Sequence, residues 1–144
     1  MARHPRARFL YDILETHEAG LELRGSEVKS LREGHAQLAE AHARFRGTDL
    51  FLLKCHIPEY RNGAYANHEP QRPRRLLMHR HELAKLHTAV TQKGLALVPL
   101  LLYFNERGRA KLQLALARGR KLFDKREAIR SREAKRSIQR ASRR

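Results

Sequence analysis

The sequence is poor in several residue types that stabilise or functionalise other small proteins. It has no tryptophan and a single cysteine, Cys55, so no disulfide can form within the chain. The apolar residues around Cys55 predict a small buried side chain rather than a nucleophile. No apolar run approaches the roughly 20 residues that span a bilayer, and residues 1–6 lack the apolar stretch of a signal peptide. We therefore expect a cytoplasmic protein with no membrane contact.

Acidic residues are also scarce relative to basic ones. Lys and Arg total 31 against 15 Asp and Glu, which gives a formal net charge of +16 and a pI near 11.1. Such an excess destabilises a compact state through self-repulsion unless a polyanion offsets it. The composition favours a nucleic acid as that partner over an anionic membrane surface.

Residue patterns typical of catalysis are missing. Glu15, Glu18 and Glu22 fall on a predicted strand and turn, where nothing holds two of them together for general acid–base work. His79 and His81 diverge at a helix start, and no cysteine or well-spaced carboxylate completes a tetrahedral metal site. No phosphate-binding glycine loop or Ser-His-Asp arrangement is detectable. We expect no enzyme activity, no cofactor and no bound metal.

The hydropathy pattern predicts several antiparallel strands. Residues 39–46 alternate with period two, 47–49 turn, and 50–57 return, so 38–57 is predicted to be a β-hairpin. A second hairpin joins the apolar run 95–104 to the alternating segment 110–117 through the turn 105–108. Pro99 within the run predicts an edge strand or a bulge, because proline cannot donate to a ladder. Residues 8–23 are predicted to open the sheet, with Phe9, Tyr11 and Ile13 alternating.

Two helices interrupt these strands, at 26–33 and 80–92, each followed by a glycine suited to a left-handed C-terminal cap. Packing Val28 and Leu31 inward would leave Lys29 and Arg32 together on the outer face of the first helix. Short antiparallel strands with two inserted helices indicate a mainly β fold, a small β-barrel of oligonucleotide-binding type.

The composition changes at Arg118. From there to Arg144 twelve Lys or Arg face three acids, a net charge of +9 in 27 residues. Few large apolar residues are present to offset the ordering cost of about 1–2 kcal/mol per residue, so we expect disorder in the free protein. The residue types still permit a helix once the charge is neutralised. We therefore divide the chain into a barrel domain, 1–119, and a basic tail, 120–144; the simpler alternative is a solubility tail.

Candidate RNA contacts lie in loops. The segment 67–75 is punctuated by proline and carries arginines that can grip phosphates. Its candidate contacts are Asn67, Arg72, Arg74 and Arg75. Tyr60 and Tyr65 either stack on unpaired bases or pack within their loop. Arg107 in the turn 105–108, followed by Arg109 and Lys111, supplies a further cationic point.

Several motifs, in order from about residue 6 to residue 129, carry a family resemblance. They are Glu18-Ala-Gly-Leu21, Gly25-Ser-Glu-Val-Lys-Ser-Leu-Arg32, Asn67-His-Glu-Pro70 with Arg74-Arg-Leu-Leu-Met-His79, Leu102-Tyr-Phe-Asn105, and Leu116-Ala-Arg-Gly-Arg-Lys121 with Asp124-Lys-Arg126. On these residues the sequence resembles the bacterial small protein B (SmpB) family, the SsrA-binding proteins. The second and last motifs together are very specific.

The resemblance implies a closed antiparallel β-barrel of oligonucleotide-binding (OB) type that binds the tRNA-like domain of transfer-messenger RNA. It implies trans-translation on stalled ribosomes, with elongation factor Tu in the delivered complex. The basic tail is implied to enter the decoding centre and the empty messenger channel of the small subunit, where it becomes helical. Barrel and tail would then replace the missing anticodon stem and codon pairing.

Site residues follow from the same resemblance. The RNA-binding surface is implied to include Glu18, Ala19, Gly20, Leu77 and His79, with phosphate contacts from Lys29 and Arg32. Lys29 can equally pair with a carboxylate of the protein. The ribosome-binding tail motif is implied to be Gly119, Arg120, Lys121, Phe123, Asp124, Lys125 and Arg126.

Composition alone leaves a structural ribosomal protein or a general RNA chaperone open as an alternative. Such a protein would bind many RNAs with similar affinity. An RNA-processing nuclease would need an acidic metal-binding cluster, and the sequence offers none.

Overall fold

The computed structural model describes residues 2–60 and 67–119. This part of the chain is mainly antiparallel β-sheet with short helices, as the sequence predicts. Its elements are β1 (Ala2–Arg3), α1 (Ala7–Leu10), β2 (Tyr11–Leu21), α2 (Gly25–Arg32), β3 (His42–Arg46), β4 (Asp49–Leu53), β5 (Arg74–Leu77), α3 (Arg80–Lys93), β6 (Ala96–Phe104) and β7 (Ala110–Gly119). None of these helices is both long and apolar enough to cross a membrane.

The strands form one sheet in the order β1-β6-β3-β4-β5-β2-β7, and β7 pairs with β6 as well as with β2. All of these pairings are antiparallel. The longest ladders join β7 to β2 and to β6.

The core is formed by leucines from the inward faces of the strands and from α2 and α3. Leu50, Leu52, Leu112 and Leu114 are completely buried. Cys55 is buried too, and desolvation raises the pKa of its thiol to about 11. The prediction of a buried cysteine is therefore confirmed.

Both predicted hairpins are confirmed, although the first is shorter than 38–57, with its strands at His42–Arg46 and Asp49–Leu53. β3 and β4 pair from His42↔Leu53 to Arg46↔Asp49. β6 and β7 are joined by a turn in which the Asn105 side chain accepts hydrogen bonds from the backbone N–H of Arg107 and Arg109 at 3.0 and 2.9 Å. Gly108 closes this turn with φ +74°, a conformation that favours glycine.

Two bulges change which residues face outward. In β6 the register shifts between Pro99 and Leu101, which confirms the predicted irregularity at the proline. In β2 it shifts between Ile13 and Glu15 and leaves Leu14 exposed. An extra residue in a strand reverses the alternation beyond it. The later residues of both strands therefore point to the opposite face from the one that simple alternation predicts.

The predicted start of the first long strand at Arg8 is wrong. Residues Ala7–Leu10 form the short helix α1, and β2 begins at Tyr11. The carbonyl of Arg6 accepts hydrogen bonds from Phe9 and Leu10, and buried Ala7 packs beside Val98 and Ala117. Packing of the α1 turn onto the outside of the sheet overrides the local alternation.

The other two predicted helices are confirmed, but Val28, predicted to pack inward with Leu31, is only partly buried and is not in the core cluster. Leu31 of α2 and Leu86 of α3 are buried, and Lys29 and Arg32 are exposed. Gly94 follows α3 in the left-handed conformation expected of a C-terminal cap.

Candidate RNA interface

One row of residues crosses four adjacent strands on the outer face of the sheet. Tyr103 of β6 pairs with Lys111 of β7, Lys111 pairs with Gly20 of β2, and Gly20 pairs with Leu77 of β5. Glu18 lies two residues from Gly20 on the same face, opposite Gln113. Glu18, Gly20, Leu77, Tyr103 and Lys111 are called the Glu18 surface below. It combines a carboxylate, an ammonium, an aromatic ring and an exposed apolar side chain.

The Glu18 carboxylate is held by a side chain from another strand. The Tyr103 hydroxyl donates a hydrogen bond to Oε2 of Glu18. Desolvation and this bond raise the pKa of Tyr103 to about 12, so the phenol keeps its proton at physiological pH. The carboxylate therefore has one oxygen fixed and further acceptor capacity directed outward.

The structure brings together most of the residues that the family resemblance placed here. Leu77 is 47% exposed, whereas its neighbour Leu76 is 2% exposed. His79 is exposed two residues further on, at the N-terminal cap of α3, where its ring stacks on His81.

Ala19 requires a correction, because its side chain is completely buried and faces the core. It sits between Glu18 and Gly20 on a strand, so its side chain points to the opposite face from theirs. Of this residue only the backbone can lie at the Glu18 surface.

Two cations, near the turn between β6 and β7, lie over aromatic rings. The Arg32 guanidinium lies 4.8 Å from the Phe104 ring centre and donates to the carbonyl of Gly108 at 3.2 Å. The Lys29 ammonium lies 5.6 Å from the centre of the Tyr60 ring. Lys29, Arg32, Tyr60, Phe104 and Gly108 are called the Arg32 cluster. Exposed Arg107 lies in the adjoining turn.

Arg74 is also corrected. It is 0% exposed, and its Nε donates to Oε2 of Glu27, which is equally buried. Its remaining nitrogens donate to the carbonyls of Cys55 and Pro70 at 2.6 and 3.0 Å. Each of the three guanidinium nitrogens donates a hydrogen bond inside the protein. Arg74 therefore stabilises the fold and is not available to bind phosphates.

Arg72 joins the same interaction from the surface side, with Nη2 2.6 Å from Oε1 of Glu27. Glu27, Arg72 and Arg74 are called the Glu27 network. Burial alone would raise the pKa of Glu27, but hydrogen bonds from Arg72, the Arg24 amide and Arg74 outweigh it and hold that pKa below its usual value. The network links α2 to Arg72, which precedes β5, and to Arg74, the first residue of β5.

Two further predicted contacts have intramolecular partners. The Asn67 side-chain amide donates to and accepts from the backbone of Tyr60, both at 2.8 Å. It therefore holds Tyr60 and Asn67 together. Arg75 pairs with Asp49 at 3.1 Å on the surface, where both side chains stay about half exposed. Arg75 remains available to a polyanion, because exposed pairs of this kind contribute little.

Several predictions fall at or outside the limits of the structure. Tyr65 and the tail residues Arg120, Lys121, Phe123, Asp124, Lys125 and Arg126 lie outside the described residues. Gly119 is the exposed last residue of β7 and pairs with Tyr11. Within residues 2–60 and 67–119, no three His, Cys, Asp or Glu side chains are placed to share a metal ion.

Sequence reasoning missed Tyr103 and Gln113 and took Lys111 only as part of a cationic turn. The near-continuous apolar run of β6 hid the outward position of Tyr103. Pairing back from the turn at Asn105 would have placed Tyr103 opposite Lys111, since hairpin register follows from the turn.

Comparison with known proteins gives one consistent result. The family model described as SmpB protein matches residues 1–144. The SsrA-binding protein of Moorella thermoacetica is 54% identical over 96% of this chain and 89% of its own length. That of Desulforudis audaxviator is 52% identical over 99% of this chain and 98% of its own. A solved structure described as "tmRNA-SmpB: a journey to the center of the bacterial ribosome" matches with a TM-score of 0.71 and 52% identity, covering 89% of this chain and 93% of that one.

Proposed function

The chain belongs to the SmpB protein family, and on that premise we propose that it binds transfer-messenger RNA and acts in trans-translation on stalled ribosomes. The relatives are named for SsrA binding, and the matching solved structure is described by tmRNA, SmpB and the ribosome. The chain works as a non-enzymatic RNA adaptor in the cytoplasm.

The observation that carries this proposal is the Glu18 surface. An exposed carboxylate fixed by a tyrosine lies on the open face of a protein with a net charge of +16. Cations supply affinity for any RNA, whereas an oriented carboxylate repels phosphates and accepts from donors such as base amines, so it adds selectivity. A general RNA chaperone has no need of such a group.

The strand pairings support a closed barrel of oligonucleotide-binding type. Following the sheet from β6 through β3, β4, β5, β2 and β7 leads back to β6, because β7 also pairs with β6. Closure of this kind removes exposed strand edges. We assign residues 1–119 to this domain and 120–144 to the basic tail.

Two surfaces of the barrel contact the RNA in this proposal. The Glu18 surface and His79 read the tRNA-like domain, and Lys29, Arg32, Arg75 and Arg107 contact phosphates nearby. Arg72 is half-buried by its pair with Glu27 and contributes mainly by holding α2 in place. The tail motif from Gly119 to Arg126 engages the ribosome at the decoding centre and messenger channel, and elongation factor Tu joins the delivered complex.

The first experiment compares RNAs. The full-length protein is expected to bind transfer-messenger RNA at least tenfold more tightly than bulk tRNA, with an affinity that falls steeply as salt rises. A filter-binding titration at several salt concentrations measures both. Equal affinity for the two RNAs would contradict the proposal and favour a general chaperone or a structural ribosomal protein.

The second experiment separates barrel from tail. Replacing Lys121, Lys125 and Arg126 by glutamine in the full-length protein should leave binding of the isolated tRNA-like domain within about threefold, because the barrel supplies its specific contacts. Peptide tagging on stalled ribosomes should be lost. Loss of specific RNA binding itself would overturn the two-part assignment.

A further inference from the structure

The hydrogen bond between Tyr103 and Glu18 joins two strands that are not neighbours. β6 and β2 each pair with β7, and Tyr103 lies opposite Lys111 while Glu18 lies opposite Gln113. The tyrosine therefore reaches diagonally across β7 to the carboxylate. The contact depends on the sheet and on the two bulges, which turn both residues to the same outer face.

An exposed glutamate would otherwise sample many side-chain rotamers, each of which costs entropy to fix on binding. A hydrogen bond to a charged acceptor is among the stronger protein hydrogen bonds, and it selects the rotamer before any ligand arrives. Tyr103 uses Oε2, and within residues 2–60 and 67–119 no side-chain donor is bonded to Oε1, so Oε1 can accept from a donor on a ligand.

Lys111 completes the arrangement beside this carboxylate. Its ammonium lies 3.7 Å from the position that a Cβ on Gly20 would take, so it extends over the glycine. Neither Glu18 nor Lys111 forms an ion pair among the described residues. An anion and a cation thus stand close together without neutralising each other, one suited to a base amino group and the other to a phosphate.

We propose that Tyr103 is a positioning residue, which orients Glu18 to accept a hydrogen bond from a base amino group of the bound RNA. This inference rests on the proposed function, in which the Glu18 surface contacts the RNA, and gives Tyr103 its role within that surface.

The test is a double-mutant cycle in RNA binding with the full-length protein. Tyr103→Phe removes only the hydroxyl and should weaken binding of the tRNA-like domain of transfer-messenger RNA roughly tenfold, because the carboxylate loses its fixed rotamer. Glu18→Ala should weaken it at least as much. Adding Tyr103→Phe to Glu18→Ala should then weaken binding no further.

The cycle separates positioning from stacking or a purely structural role. If Tyr103→Phe weakens binding equally with and without Glu18, or leaves the wild-type affinity unchanged, the inference is overturned. Tyr11→Phe at the far end of β2 is the matched control and should change affinity less than twofold. Urea unfolding of Tyr103→Phe should match wild type, since the bond is exposed.

Lys111→Gln tests the neighbouring cation of the proposed RNA site and serves as a contrast to Tyr103→Phe. It should weaken binding to all RNAs alike and reduce the slope of log affinity against log salt by about one, as expected for one phosphate contact. An unchanged slope would refute the role of Lys111. Failure of the wild-type protein to prefer transfer-messenger RNA would instead refute the proposed function, so the two failures are distinguishable.

Discussion

Glu18 and Glu27 are nine positions apart in the sequence and carry the same side chain, yet they lie in opposite environments. Glu18 is exposed on an open sheet face and accepts from a neutral phenol. Glu27 is 0% exposed and is held by two arginines. One carboxylate keeps acceptor capacity for a ligand, and the other accepts from three donors inside the protein.

The difference shows why charge alone does not locate a functional site in a basic protein. Arg74 and Arg75 are adjacent, but only Arg75 faces solvent, because alternation on β5 sends the two side chains to opposite sides. A segment rich in one charge can thus contain both residues that stabilise the fold and residues that are available to a ligand. Mutations should separate the two by stability against affinity.

The largest expected effect is the loss of stability on substitution of the buried Glu27. Glu27→Ala leaves the Arg74 guanidinium buried without a counter-charge and should lower the free energy of unfolding by about 3–5 kcal/mol. Urea denaturation monitored by circular dichroism measures this value.

Glu22→Ala is the matched control for this substitution. Its side chain is exposed just after β2, so the free energy of unfolding should stay within about 0.5 kcal/mol of wild type. A loss below about 1 kcal/mol for Glu27→Ala would show that the network is not needed for stability, and the contrast with Glu18 would collapse.

Acid should weaken the same network. The arginines hold the pKa of Glu27 below its usual value, so the stability that it contributes is fully present above the unfolded-state pKa, near 4.3, and is lost as pH falls through the lower folded-state pKa. The difference in unfolding free energy between wild type and Glu27→Gln should therefore be constant from pH 7 to about pH 5. It should shrink below about pH 4.3. A difference that grows on acidification would contradict this linkage.

Much of the fold was predictable because it depends on local patterns. The hairpin at 38–57 follows from alternation around Gly47, and α3 follows from its apolar stripe and the glycine after it. The buried state of Cys55 follows from its apolar neighbours. In each case, the residues that determine the structure lie within one element or one turn.

The parts that escaped prediction depend on contacts between distant segments. α1 exists because Ala7 packs beside Val98 and Ala117. Arg74 is buried because α2 places Glu27 against it, 47 residues away in sequence. The turn at Asn105 predicts the pairing of Tyr103 with Lys111, but Tyr103 meets Glu18 because bulges in β2 and β6 both reverse the alternation, and no local pattern predicts that the two bulges coincide.

The smallest expected effect concerns the glycine at the centre of the Glu18 surface. A Cβ on Gly20 would lie 3.3 Å from the Cβ of Leu77 and 3.7 Å from the Lys111 ammonium, so Gly20→Ala fits only if Leu77 shifts by a few tenths of an ångström. Since extended backbone accepts alanine, the free energy of unfolding should change by less than about 1 kcal/mol. RNA affinity should fall about threefold, because the methyl group fills space where a nucleotide would approach. Gly25→Ala, which meets nothing within 4 Å, is the matched control and should leave affinity unchanged. Equal affinities for the two variants would mean that RNA does not approach the sheet closely at Gly20, and the Glu18 surface would then have to act through its side-chain tips alone.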